Sequence, residues 1–256
     1  MAARLPDADA LLTSAMDAVT PAMLAAAPRL RVIANIGVGF DNIDVAACAA
    51  RGIVVTNTPG VVDDATADTA FALMLAAARR IVEGDAFVRG GRWTATSRLP
   101  MGIDVHHRTL GIVGLGRVGR AIARRASGFD MKVLYHNRRR LDPAEEARLG
   151  VAYSDLDSLL ASADLVVLQV PGTSDTHHLI GAAQLARMKR SAVLVNTARG
   201  GVVDDAALAY ALRRGIIGAA GLDLFEGKPD VHPDLLAALA GAEPPDRVVP
   251  PGNPKA

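Results

Sequence analysis

Short apolar runs alternate with longer alanine-rich stretches along most of the chain. That alternation predicts strands separated by helices, the pattern of an α/β protein built on mainly parallel sheet. In the first hundred residues it predicts strands at Ala10–Leu12, Val32–Asn35 and Val54–Asn57. Thr20 and Pro21 suit the N-cap and first helical position of a helix between the first two strands. Phe71–Val82 reads as one long apolar helix. Asp63, Asp64 and Asp68 lead it, and Arg79 and Arg80 close it, as the helix dipole favours. The Gly-, Pro- and Ser-bearing stretch from Gly90 to Gly102 predicts a junction, giving domains of 1–101 and 102–256. From Gly241 onward, prolines at 244, 245, 250, 251 and 254 oppose regular structure.

Composition narrows the class. With 256 residues, half of them hydrophobic, the chain has ample material for a buried core in one or two domains. Lys and Arg number 28 against 27 Asp and Glu, so no broad field favours nucleic acid or a membrane surface. Cys48 is the single cysteine, which excludes an intrachain disulfide and suits a reducing compartment. The start has no signal-like apolar stretch, and the longest apolar runs, such as Leu165–Val170, are strand-sized. A soluble, cytoplasmic protein with neither nucleic-acid nor membrane partner is expected.

The chemistry begins at Thr109–Val113, an apolar strand that runs into Gly114-Leu115-Gly116-Arg117-Val118-Gly119. A helix over Arg120–Ala126 and a strand at Lys132–His136 follow, so the glycines sit inside a βαβ unit. In that context Gly114 permits a tight turn, Gly116 lets backbone approach a pyrophosphate, and Gly119 allows close packing. The helix N-terminus then offers amides and a positive dipole end to phosphate. The competing reading is an empty structural turn. Eighteen residues past Gly119, Asn137 fills the slot where NAD sites commonly place an acid for the ribose hydroxyls. A neutral Asn removes repulsion against a 2′-phosphate, and Arg138 and Arg139 can pair with it. NADPH is therefore the expected cofactor and NAD the secondary one, against the alternative of a solvated basic turn.

Five segments in order resemble the D-isomer-specific 2-hydroxyacid dehydrogenases, most closely the glyoxylate/hydroxypyruvate reductase branch. They are Ile33–Asp44, Val55–Gly60, the glycine loop, Val193–Gly201 and Gly221–Glu226, and the resemblance reaches about Leu239. It implies a Rossmann doubly wound parallel sheet plus a smaller, truncated flavodoxin-like substrate domain, and a homodimer formed through Phe71–Val82 and the segment to Trp93. It implies a small 2-keto acid substrate. Arg199 matches the family's substrate arginine and catalytic group. Taken alone, an Arg before two glycines is more often a solvated turn residue. Val38 and Gly39 match backbone amides that hold the substrate carboxylate. Asp223 matches the acid beside the nicotinamide amide, with Thr66 near the same ring. Thr197, Ala198, Val170 and Pro171 are expected to line the cofactor cleft.

Three departures bear on activity. The family's catalytic glutamate lies five residues past the matched Asp223, where this chain has Lys228. The proton-donating histidine is expected near Arg247–Pro250, and the residues that follow contain none. All six histidines read as surface or structural, without a metal-like ligand set. The extra strand and helix that precede the segment matching Asp7–Leu12 are also missing, which suggests a fragment or a reading frame lost near Asp246. Two functions stay open: an oxidoreductase passing hydride between NADPH and glyoxylate or hydroxypyruvate, or a catalytically impaired dinucleotide-binding or dimerising module.

Overall fold

The computed structural model describes residues 2–14, 16–227 and 230–239 and divides into two compact units, 1–65 and 66–256. In the first unit β1 (Ala10–Ser14), α1 (Pro21–Ala25), β2 (Val32–Ile36), α2 (Val45–Ala50) and β3 (Val54–Thr56) alternate. The three strands form one parallel sheet in the order β1-β2-β3. Thr20 caps α1, its hydroxyl accepting the Met23 N–H at 3.3 Å, with Pro21 in the first turn. Val19, Leu24, Ile33, Ile43 and Cys48 form the small core of this unit. Burial pushes the Cys48 thiol above its ordinary range.

The second unit begins within α3 (Asp63–Ala78) and continues through α4 (Ile81–Arg89). Six βα steps follow: β4 (Thr109–Val113), α5 (Arg117–Ala126), β5 (Lys132–His136), α6 (Pro143–Leu149), β6 (Val151–Tyr153), α7 (Leu156–Ser162), β7 (Leu165–Leu168), α8 (Ala182–Leu185), β8 (Val193–Asn196), α9 (Asp205–Arg213), β9 (Ala219–Leu222) and α10 (Pro233–Leu239). Every strand pair is parallel, and the order is β6-β5-β4-β7-β8-β9. That is the doubly wound order, whose direction reverses between β4 and β7. All four residues of β7 and of β8 are buried, which explains why they read as continuous apolar runs rather than alternating ones.

One expectation needs correction. The single helix over Phe71–Val82 is two helices. Arg80 takes a left-handed backbone (φ 56°), turns the chain out of α3 and pairs with Glu83 at 2.6 Å. Apolar periodicity ran across this break because Ile81 and Val82 continue it, yet both are exposed, while Phe71, Met74 and Ala78 are buried. The compact units divide at 65/66, ahead of the junction expected at 101/102. The reason is packing. Buried α3 residues join the core beneath β4, β5 and β7, and a Cβ on Gly221 of β9 would lie 2.9 Å from the Leu73 Cβ.

Candidate active site

The glycine loop crosses the point where the strand order reverses. Gly114 has φ +103°, and a Cβ there would stand 2.4 Å from the Gln169 carbonyl oxygen and 3.1 Å from the Val170 Cγ1. The loop thus presses against the chain leaving β7, at the crevice where open α/β sheets hold ligands. A Cβ on Gly119, in the first turn of α5, would stand 2.4 Å from the Gly114 carbonyl oxygen. Gly116 differs: a Cβ there would have no atom within 4 Å, so its face is open. It is the N-cap of α5 and carries no capping side chain. Arg117 is exposed, and Val118 is half-buried against the core. An open glycine at an uncapped helix start is the shape and polarity that a pyrophosphate fits.

At the end of β5, the Asn137 Oδ1 accepts the Leu115 N–H at 2.7 Å, and the His136 carbonyl accepts the Gly114 N–H at 2.9 Å. The residue expected to select the cofactor therefore fastens the loop. Arg138 and Arg139 are exposed and make no ion pair among the described residues. Arg140 turns back, its Nε and Nη2 each donating to the Glu146 carboxylate at 2.8 Å. The buried Tyr135 hydroxyl donates to the same carboxylate at 2.6 Å and accepts the Leu141 N–H at 2.8 Å. The Arg140 and Tyr135 hydrogen bonds hold Glu146 down to about 2. One arginine of the three is thus structural, and it anchors the turn carrying the other two.

A third element stands at the C-terminal ends of β8 and β9. Buried Asn196 donates from Nδ2 to the Arg199 carbonyl at 2.9 Å and accepts the Ala198 N–H at 3.0 Å. Thr197 and Ala198 are buried in that turn, and the Gln169 Nε2 donates to the Thr197 hydroxyl. Half-buried Arg199 donates from Nη1 to the Ala198 carbonyl at 2.7 Å, and its stem crosses Gly172, where a Cβ would lie 3.1 Å from the Arg199 Cγ. Exposed Asp223 is joined to β8 through its N–H, which the Asn196 carbonyl accepts at 3.0 Å. Pro171 is exposed, and its carbonyl accepts the Thr176 hydroxyl at 2.6 Å. Thr66 is half-buried near the start of α3. Asn196 and Gln169 escaped sequence reasoning. Their signal was a polar residue ending or following an apolar strand, which burial obliges to find partners.

In the first unit the Val38 and Gly39 carbonyls are held at 2.8 Å by the side-chain amides of Asn57 and Asn35. Neither residue's N–H has a protein partner among the described residues.

The histidines hold a further correction. His177 and His178 are exposed as expected, but they have carboxylate company. The His178 Nε2 lies 2.8 Å from the Glu226 Oε1, and the His177 Nε2 lies 3.9 Å from the same oxygen. The reading that no ligand set accompanies them fails because the loop after β7 folds back over Gly201, whose carbonyl accepts the His178 N–H at 2.7 Å. Lys228 and the segment from Arg247 to Pro250 lie outside the described residues.

The chain is similar to known proteins in sequence and in fold. The profile described as "D-isomer specific 2-hydroxyacid dehydrogenase, NAD binding domain" matches residues 71–241. Glyoxylate reductase of Korarchaeum cryptofilum is 52% identical over 238 residues, spanning 92% of this chain and 71% of that one. Glyoxylate reductase of Thermococcus litoralis is 49% identical over 238 residues, spanning 91% and 72%. The crystal structure of an NADPH-dependent glyoxylate/hydroxypyruvate reductase from Sinorhizobium meliloti, with NADP and malonate, superposes with TM-score 0.84 at 38% identity, covering 92% of this chain and 72% of that one. D-lactate dehydrogenase of Aquifex aeolicus, with NAD and lactic acid, gives 0.83 at 31% identity, covering 94% and 74%.

Proposed function

The chain belongs to the D-isomer-specific 2-hydroxyacid dehydrogenases, and on that premise we propose that it reduces glyoxylate or hydroxypyruvate, preferring NADPH. The observation that carries the reading is Arg199. It is set by buried Asn196 at the C-terminal end of β8, in the same sheet as the open Gly116 loop. Gly114, Gly116, Arg117, Val118 and Gly119 would hold the pyrophosphate, with Asn137, Arg138 and Arg139 at the adenosine end. Val170, Pro171, Thr197, Ala198 and Asp223 would line the nicotinamide end, with Thr66. When bound, the reduced dinucleotide supplies the hydride. Arg199 grips the keto-acid carboxylate and stabilises negative charge developing on the carbonyl oxygen. Within the first unit, the Val38 and Gly39 amides, unpaired among the described residues, are proposed to bind a carboxylate.

The NADPH preference is supported by the absence of an acid at Asn137 and by the two exposed arginines beside it. We also propose a homodimer. Ile81, Val82, Val88 and Trp93 are all more than half exposed, whereas the α3 part of the expected interface is turned inward. A cytoplasmic location agrees with the single buried cysteine and with the lack, among the described residues, of a helix long and apolar enough to cross a membrane.

Lys228 and the lack of a histidine in the family's slot favour a second reading, a dinucleotide-binding module with impaired turnover. General acid catalysis contributes roughly 10²–10⁴-fold, so its loss would leave a slow enzyme. The test is NADPH oxidation with glyoxylate and hydroxypyruvate, beside NADH. Turnover with a lower KM for NADPH supports the enzyme. A folded chain that binds NADPH and turns over neither acid supports the module.

A further inference from the structure

We propose that His177, His178 and Glu226 form a binding site for one divalent ion of the zinc and nickel class. Two imidazoles and one carboxylate converge, one donor atom from each lying within 4.8 Å of the others. Ligands bonded tetrahedrally to zinc at about 2.0–2.2 Å lie roughly 3.4 Å apart. The observed separations of 2.8 and 3.9 Å from the Glu226 Oε1 bracket that value, so small rotations of exposed side chains would admit an ion. Imidazole nitrogen with carboxylate oxygen suits zinc, nickel and copper rather than magnesium or calcium.

The backbone holds the donors together. His178 sits in the left-handed region at φ 51°, and the two rings stack at 4.0 Å. Gly201, itself at φ +74°, leaves room for the His177 ring, whose Nδ1 would lie 3.2 Å from a Cβ there. Glu226 is fixed through its N–H, which the buried Asp205 carboxylate accepts at 3.0 Å. Asp204 stands 3.9 Å from the His178 Nδ1. Its other oxygen caps α9, accepting the Ala207 N–H at 2.9 Å. A bound ion would tie the loop after β7 to the turn after β9, across Gly200 and Gly201.

The chain contains its own comparison. His106 and His107 are also consecutive, but their rings meet edge-on at 5.0 Å. Each faces a different carboxylate, Asp104 at 3.9 Å and Asp130 at 4.0 Å. Their donors diverge, so the dipeptide alone does not make the site.

The test uses full-length protein without a histidine tag, titrated calorimetrically with Zn²⁺ and followed by visible absorption with Co²⁺. One ion per chain is expected, with tetrahedral cobalt bands. Glu226→Gln and His178→Asn should each weaken binding at least about tenfold; Asn tolerates the left-handed backbone. The double variant His106→Ala/His107→Ala should bind as the parent does, and circular dichroism checks that every variant folds. Absence of a stoichiometric ion would overturn the proposal. So would affinity unchanged in folded Glu226→Gln and His178→Asn, or lost in the His106/His107 variant.

Discussion

Two glycines of one loop should respond differently to the same added methyl group. A Cβ on Gly119 would stand 2.4 Å from a backbone oxygen, where real Cβ atoms keep beyond 3.0 Å, so α5 must retreat by more than half an ångström. Its neighbours there are the loop backbone and the Ile112 Cγ2, and none is a flexible chain end. Overpacking of this kind costs about 1–3 kcal/mol. In a unit of this size that lowers the midpoint of thermal unfolding by roughly 2–12 °C. If the same shift is charged to the dinucleotide, affinity falls about 5- to 150-fold at ~1.4 kcal/mol per decade. Gly116→Ala meets nothing within 4 Å and has an ordinary extended backbone (φ −83°), so its midpoint should hold, the entropic gain of Ala offsetting its poorer fit at an N-cap. Its methyl group would occupy the open face over the helix start, so NADPH binding should still weaken. Thermal denaturation by circular dichroism and NADPH titration by fluorescence measure both effects. Gly119→Ala with unchanged midpoint and affinity would refute the packing argument. A Gly116→Ala that binds NADPH like the parent would remove the pyrophosphate from that face.

Four other outcomes are expected. Glu146, held down to about 2 from an ordinary 4.5, contributes stability that is complete above 4.5 and is lost as pH falls towards 2. Glu146→Gln should unfold more readily at neutral pH and show a flatter acid limb across that window; an unchanged limb would remove Glu146 as its cause. Asn137→Asp keeps the acceptor for the Leu115 N–H, so the fold should hold while the NADPH KM rises about tenfold relative to that for NADH. An unaltered cofactor ratio would count against the selecting role. Arg199→Lys loses the bidentate fork and should cut kcat/KM for the keto acid by roughly 10²-fold or more, with NADPH affinity kept. Equal loss in both would make Arg199 a structural residue. Buried Cys48 should react with an aromatic disulfide reagent only as the protein unfolds, and rapid native labelling would contradict its packing.

The fold was legible where burial is uniform or strictly local. β4 feeding a glycine turn, and the apolar runs of β7 and β8, carry their structure in a few consecutive residues. The α3–α4 break was not legible, because it depends on Arg80 adopting a left-handed backbone that its side chain does not advertise. Residue types placed the loop glycines, and the family resemblance placed Arg199. The partners that hold them came only with the structure: Asn196 for the Arg199 turn, and Glu146 for the arginine turn across a helix. The His177–His178–Glu226 cluster was hidden for the same reason, since forty-eight residues separate its imidazole and carboxylate.

The bond from Leu115 to Asn137 also limits how cofactor preference can be redesigned. On the proposed reading position 137 has two duties, and only a side chain with a carbonyl-type oxygen at the same reach satisfies both. A saturation library there would be expected to yield few soluble binders besides Asn and Asp. Alanine or leucine would discard the loop along with the selectivity. A switch towards NADH is therefore confined to Asn137→Asp or to exchanging Arg138 and Arg139, which no other part of the described chain relies on, while leaving Arg140 and its carboxylate untouched.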